Sequence, residues 1–287
     1  MSSLNAADAS ISIRSRLLNI AREKQRPFNE LLQYYGMERF LYRLCRSQYN
    51  NRFVLKGALL FHVWDLLESR ATRDIDLLAM VDNSSGRLKK LVCEICDLDL
   101  DCKDGVIFDS HTVAAKVMQA KREYEGIRVT FKAQLEGEKN TIPMQIDFGF
   151  GDLVTPHPDS ITYPTLLDLP SPILNGYPVE TVIAEKLHTI VEKGVLNSRV
   201  KDFHDVWLLL RLGHFDGEVL EQAVGRTFGQ RRMVLDWEGV FHAIYLYGQS
   251  KESQQFWERY RRKGGYETTP ENIAEICDNI NLCLKEQ

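Results

Sequence analysis

No part of this sequence approaches the ~18 uninterrupted apolar residues that a membrane-spanning helix requires, so nothing in it reads as a span. The opening residues, Met1 to Ser12, are small and polar and lack the basic start and apolar core of a secretory signal; the expectation is a cytoplasmic protein. A strong charge of either sign is also missing. The formal net charge is −4, which gives no support to a broadly basic nucleic-acid coat, although binding depends on where charge sits and not on its sum. Cysteine is sparse: Cys45, Cys93, Cys96, Cys102, Cys277 and Cys283. Only Cys93 and Cys96 stand at C-x-x-C spacing, and no second pair or histidine set follows to complete a zinc site. These are read as buried thiols in a reducing compartment. Internal repeats and low-complexity tracts are absent as well.

What remains is an ordinary globular composition, 44% hydrophobic and 26% charged over 287 residues. That suits one large domain or two small ones with a sizeable core. Apolar periodicity predicts helices over 10–25 and 27–48, the second with Pro27 near its first turn. Phe53-Val54-Leu55 reads as a short strand ending at Lys56-Gly57, followed by a helical stretch from Ala58 to Trp64. Asp74 to Leu78 alternates as a strand does, a helix follows over about 87–97, and 104–150 reads as a run of strands. Residues 153–178 carry six prolines and are the best candidate for a connection between halves. From Val179 onward helices are predicted over 180–191, 201–212, 218–228, 236–247 and 253–262.

The chemistry centres on Asp74-Ile75-Asp76. On a strand, residues two apart share a face, so both carboxylates point one way with Ile75 behind them. Two adjacent carboxylates repel, and a divalent cation between them removes that repulsion. A two-metal phosphoryl-transfer site usually takes a third carboxylate. Asp147, the one acid inside the strand-like run Met144 to Phe148, is the candidate. Upstream, Lys56-Gly57 ends a strand and opens a helix, a layout in which backbone N–H groups can approach a phosphate. A single D-x-D is more often a solvated pair or a turn, but a glycine turn before it and an acid on a later strand raise the reading.

A second cluster lies further on. Lys186 follows Glu185 in the apolar helix Val182 to Leu187, and Arg199-Val200-Lys201-Asp202-Phe203-His204-Asp205 is dense in charge where a helix starts. Asp202 and Asp205 suit a helix's first turn on dipole grounds alone. The functional alternative has Lys186 with Arg199 or Lys201 on a triphosphate, held in place by Asp202. Composition leaves both open.

Lys56-Gly57-Ala58-Leu59-Leu60, then Arg70-Ala71-Thr72-Arg73-Asp74-Ile75-Asp76, then Ala184-Glu185-Lys186-Leu187, then Arg199 to Asp205, together resemble the AbiEii/AbiGii nucleotidyltransferase family. The likeness runs from about Phe53 to Trp207. It implies an α+β fold, a polymerase β-like mixed sheet with helices, followed by an all-helical C-terminal domain, here 1–178 and 179–287. It implies a toxin of a type IV toxin–antitoxin or abortive-infection system, with NTP as substrate, Mg2+ as cofactor and a cognate antitoxin as partner. In some members the acceptor is tRNA, whose extended 3′ end can no longer be charged. Carried onto this chain, Asp74 and Asp76 hold metal, to which the strand pattern above adds Asp147, and Lys186 and Asp202 join them in catalysis. Lys56, Gly57, Ala58, Arg70, Thr72, Arg199, Lys201 and Asp205 complete the nucleotide contacts. Where the family has a second glycine and a hydroxyl residue, this chain has Ala58 and Leu59.

Three readings stand beside one another. A toxin acting on RNA needs a basic path, for which Arg70, Arg73, Lys121, Arg122, Arg231-Arg232 and Arg259 to Lys263 are available, with Tyr260 and Tyr266 for stacking. A transferase for a small or protein acceptor needs no such path. A non-catalytic binding module is the third, kept open by Leu59.

Overall fold

The computed structural model describes residues 6–66, 70–100, 102–118, 126–194, 198–266 and 268–286. Lys121 and Arg122, proposed above for a basic path, lie outside them. The chain divides into two compact units. The first comprises Met1–Trp64, Thr72–Gly151 and Ser160–Gly176; the second comprises Asp65–Ala71, Asp152–Asp159 and Tyr177–Gln287.

The first unit is a mixed seven-stranded sheet with helices on one face. Its strands are β1 (Phe53–Lys56), β2 (Ile75–Ala79), β3 (Val106–Met118), β4 (Gly126–Leu135), β5 (Thr141–Gly149), β6 (Asp159–Thr162) and β7 (Ile173–Gly176). Their order is β3-β4-β5-β2-β1-β7-β6. β2 runs parallel to β5 and antiparallel to β1, and β7 runs parallel to β1. The helices are α1 (Ala6–Glu23), α2 (Phe28–Arg46), the single turn α3 (Leu60–Val63) and α4 (Ser85–Cys96). β4 and β5 alternate strictly: Ile127, Val129, Phe131 and Ala133, with Ile142, Met144, Ile146 and Phe148, are buried. α2 covers that face closely, and Gly36 lets its backbone approach the Met144 sulfur and Ile142. Arg128, Thr130 and Lys132, on the intervening positions, face the other way and are partly or fully exposed.

The second unit is helical: α5 (Val179–Lys193), α6 (Val200–Leu212), α7 (Gly217–Gln230), α8 (Trp237–Gln249), α9 (Lys251–Gly264) and α10 (Ile273–Lys285). α5, with Ile183, Ala184 and Leu187 buried, packs against α6, α7 and α8, and α10 packs against α6, α8 and α9.

The helices and central strands lie close to the sequence expectations, with three differences. The proline-rich stretch is more than a connection, since it contributes β6 and β7 to the sheet. α10 was not anticipated, although Ile273, Ile276, Cys277, Ile280 and Leu284 repeat at helical spacing behind Asn272, whose side chain caps the first turn. Of the six thiols only Cys96 and Cys277 are buried; the other four are half-buried. No described helix is long and apolar enough to cross a membrane.

Candidate metal centre and phosphate cluster

The sheet register assembles the first site. Asp76 on β2 is the cross-strand partner of Asp147 on β5, and Ile75 pairs with Ile146 behind them. Cross-strand partners point to the same face, so the carboxylates emerge together on the face away from α2 while Ile75 and Ile146 are fully buried. Asp74, immediately before β2, completes the group. One ligand oxygen from each of Asp74, Asp76 and Asp147 lies within 4.8 Å of the other two, and all three residues are half-buried.

Each carboxylate is oriented by a neighbour. The Thr72 hydroxyl donates to Asp74 Oδ1, and the Thr72 N–H donates to the Tyr34 hydroxyl at 2.9 Å. Burial pushes the Tyr34 phenol above its ordinary value, so it stays protonated. Thr72 is itself only 5% exposed and sets the direction of Asp74 from beneath. Asp147 receives two bonds from Arg128, Nε to Oδ1 at 2.8 Å and Nη2 to Oδ2 at 2.7 Å. Asp76 lies over Gly57, where a Cβ would stand 2.1 Å from its Oδ2.

That last contact revises the reason for a glycine at the turn. Gly57 has φ +72°, a conformation side chains disfavour. What comes close to its backbone in this structure is the Asp76 carboxylate. The helix that follows is one turn long, entered through a 3-10 segment Gly57–Leu59, so its dipole is too small to serve as the anion site expected from the sequence. Ala58 and Leu59 are both in the core, at 2% and 1% exposure. Their departure from the family residues therefore alters packing at the turn. Gly57→Ala is expected to lower stability by about 1–3 kcal/mol through overpacking. It should also cut transfer about tenfold or more, since displacing the carboxylate need only raise the barrier by ~1.4 kcal/mol. Thermal melts and a transfer assay on the same preparation check both, and wild-type activity in Gly57→Ala would show that the contact is not needed.

The donor set suits a hard divalent cation: three carboxylates and no nitrogen or sulfur ligand, the oxygen-only chemistry magnesium takes. Lys56, half-buried, is the cross-strand partner of Asp76 on the opposite side from Asp147. Arg128, the partner of Asp147 on β4, was not singled out from the sequence. Its signal was there: Ile127, Val129 and Phe131 define the buried face of β4, which puts Arg128 on the face of the acids.

The second unit holds the other sequence-selected residues in one cluster. Asp202 and Asp205, three apart on α6, share a helix face and are buried at 2% and 1% exposure. Lys186 on α5 reaches both, with Nζ 2.5 Å from Asp205 Oδ2 and 3.4 Å from Asp202 Oδ1. Arg70 stands 3.4 Å from Asp205 Oδ2, and Arg199 stands 3.2 Å from Asp202 Oδ2. Burial, then the charges of Arg70 and Arg199, push the Lys201 amine below its ordinary value. Burial alone would raise the Asp205 pKa, but Lys186 and Arg70 outweigh it and the net shift is downward. A helix-dipole preference does not account for two buried acids each held by two cations. Among the described contacts four bases gather around two carboxylates, a balance that suits a polyanion. The basic path expected from the sequence is less open: Arg231 is engaged by Asp152 and Glu185, and Arg261 by Thr269 and Glu271.

A mixed sheet that pairs Asp76 with Asp147 across two strands, with Asp74 beside them, offers the oxygen ligands that a divalent cation takes. Residues 39–278 match the family described as nucleotidyl transferase AbiEii toxin, type IV TA system. The chain belongs to that family and is a nucleotidyltransferase toxin. A search of curated proteins gave no match. Two solved structures are similar: JHP933 from Helicobacter pylori, 11% identical over 90% of each chain with a TM-score of 0.46, and an H. pylori chain provisionally described as a nucleotidyltransferase, 14% identical over 89% of this chain and 96% of that one with a TM-score of 0.45. At these values the assignment rests on the family match.

Proposed function

We propose that this toxin transfers a nucleoside monophosphate from an NTP to an RNA acceptor, the 3′ end of tRNA, in a magnesium-dependent reaction in the cytoplasm that blocks translation, and that a cognate antitoxin opposes it. The observation carrying the reading is the convergence of Asp74, Asp76 and Asp147 on one face of the sheet. These three residues would hold the metal. Magnesium held there would supply charge neutralisation for the phosphates and lower the pKa of the acceptor hydroxyl. Thr72 and Arg128 keep two of the carboxylates aimed. Within the helical unit, Lys186, Arg199, Lys201 and Arg70 form a cationic cluster of the kind that binds phosphate, and Asp202 and Asp205 fix Lys186 and Arg70 in place. The bond formed joins the acceptor oxygen to the α-phosphorus; the bond broken releases pyrophosphate.

The test is incubation of purified protein with total cellular RNA, magnesium and each α-labelled NTP in turn, beside an Asp74→Asn/Asp76→Asn double variant. Label on tRNA-sized bands, lost in the variant, is the expected result and names the nucleotide. Label on small molecules or protein would replace the RNA acceptor, and no label with any NTP would sink the reading.

A further inference from the structure

The metal triad has a cationic neighbour that transfer chemistry does not itself require. Arg128 grips both oxygens of Asp147 from the adjacent strand, at 2.8 and 2.7 Å. Its side chain is 41% exposed and that of Asp147 15%. The guanidinium lies partly in water while the carboxylate is largely buried, and the two-bond grip fixes Asp147 on the face of the acids. Lys56 faces Asp76 from the other side of the row. The order across four strands is therefore base, acid, acid, base, with a cation at each end of the row.

We propose that Arg128 is a built-in competitor at this centre, a positioning residue that holds Asp147 and keeps the triad's affinity for a divalent cation low. The proposal rests on reading the triad as the metal centre. Arg128 does not block ligation outright, because a carboxylate has about four lone-pair sites and the guanidinium uses two. Its effect is through charge. Two consequences of removing it oppose each other: Asp147 gains rotamer freedom, which weakens binding, and the repulsion between a nearby unit charge and a dication disappears, which tightens it. At this range and partial burial the electrostatic effect is the larger. The centre is then poised to fill when a triphosphate adds its own negative charge, and to hold metal weakly without one.

Mn2+ binding, read as the disappearance of the free-ion EPR signal, tests this without any turnover. Arg128→Gln is expected to bind Mn2+ at least about tenfold more tightly than wild type, and Arg128→Lys, which keeps the charge and loses the two-bond grip, to stay near wild type. Equal or weaker binding in Arg128→Gln overturns the proposal, as does equal tightening in both variants, which would make geometry the cause. Absence of binding in wild type and Arg128→Gln alike would remove the metal centre itself, and the proposal with it. Melts in EDTA and in Mn2+ give a second readout, with a larger Mn2+-induced rise expected in Arg128→Gln. If that variant does not fold, Lys56→Gln removes the cation on the other flank and is expected to tighten Mn2+ in the same way; failure to do so counts against the charge argument.

Discussion

Asp76→Asn is expected to abolish nucleotidyl transfer, by about a thousandfold or more, while the protein stays folded. Asparagine has the shape of aspartate, so the close approach over Gly57 is kept and β2 retains its register with β1 and β5. The negative charge that draws a cation to the centre is lost, and a loss of about 4 kcal/mol of transition-state stabilisation corresponds to that rate effect. In EDTA the variant should melt at or above the wild-type temperature, because three carboxylates within 4.8 Å of one another repel when no cation lies between them. Transfer assays and melts on one preparation decide it. An unfolded Asp76→Asn protein, or one with full activity, would remove the metal role.

Lys186→Ala is expected to have the largest effect on stability, about 3 kcal/mol, as for removal of one partner from a buried ion pair. The amine is shared by Asp202 and Asp205, and both acids are buried. Arg70 and Arg199 each remain on one of them, which limits the loss. The pH dependence follows from the lowered Asp205 value. Its contribution to stability is present above the ordinary carboxylate value of 3.8 and is lost as pH falls through the depressed folded value. Without Lys186 that depression shrinks, so the gap between variant and wild type should be widest near neutral pH and should narrow in acid. Denaturant titrations at several pH values measure this. Adding Asp205→Asn to Lys186→Ala should recover part of the stability, because the acid left undercompensated is then neutral. A gap that does not change with pH, and no recovery in the double variant, would mean that the cluster is not what holds α5 to α6.

Much of both sites could be read from residue patterns. Asp74, Asp76 and Asp147 were legible because a period of two places acids on one face and because an acid inside an apolar strand requires a partner. Their meeting is expected there too, but not what produces it, the parallel pairing of β2 with β5, strands some seventy residues apart that share no local signal. β6 and β7 escaped notice because each is four residues long and flanked by prolines, too short for alternation to register. Gly57 was picked out for the correct residue type, but what approaches its backbone could be learned only from the packed turn. The cluster around Lys186 was visible as charge density. That its acids are buried follows from α5 packing on α6, which composition does not encode.

The cross-strand row has a further consequence for when the toxin becomes toxic. A slip of one residue in β5 would send Asp147 to the helix-covered face and bring Ile146 or Phe148 out in its place. A slip in β2 would do the same to Asp76. The centre therefore exists only in chains whose strands β2 and β5 are in correct alignment, a contact that must be made across the stretch of chain holding α4, β3 and β4. A nascent or misaligned chain has all the acids and no place where they meet. Harmlessness before folding is complete is then a property of the sheet itself, present whether or not a protein inhibitor is at hand.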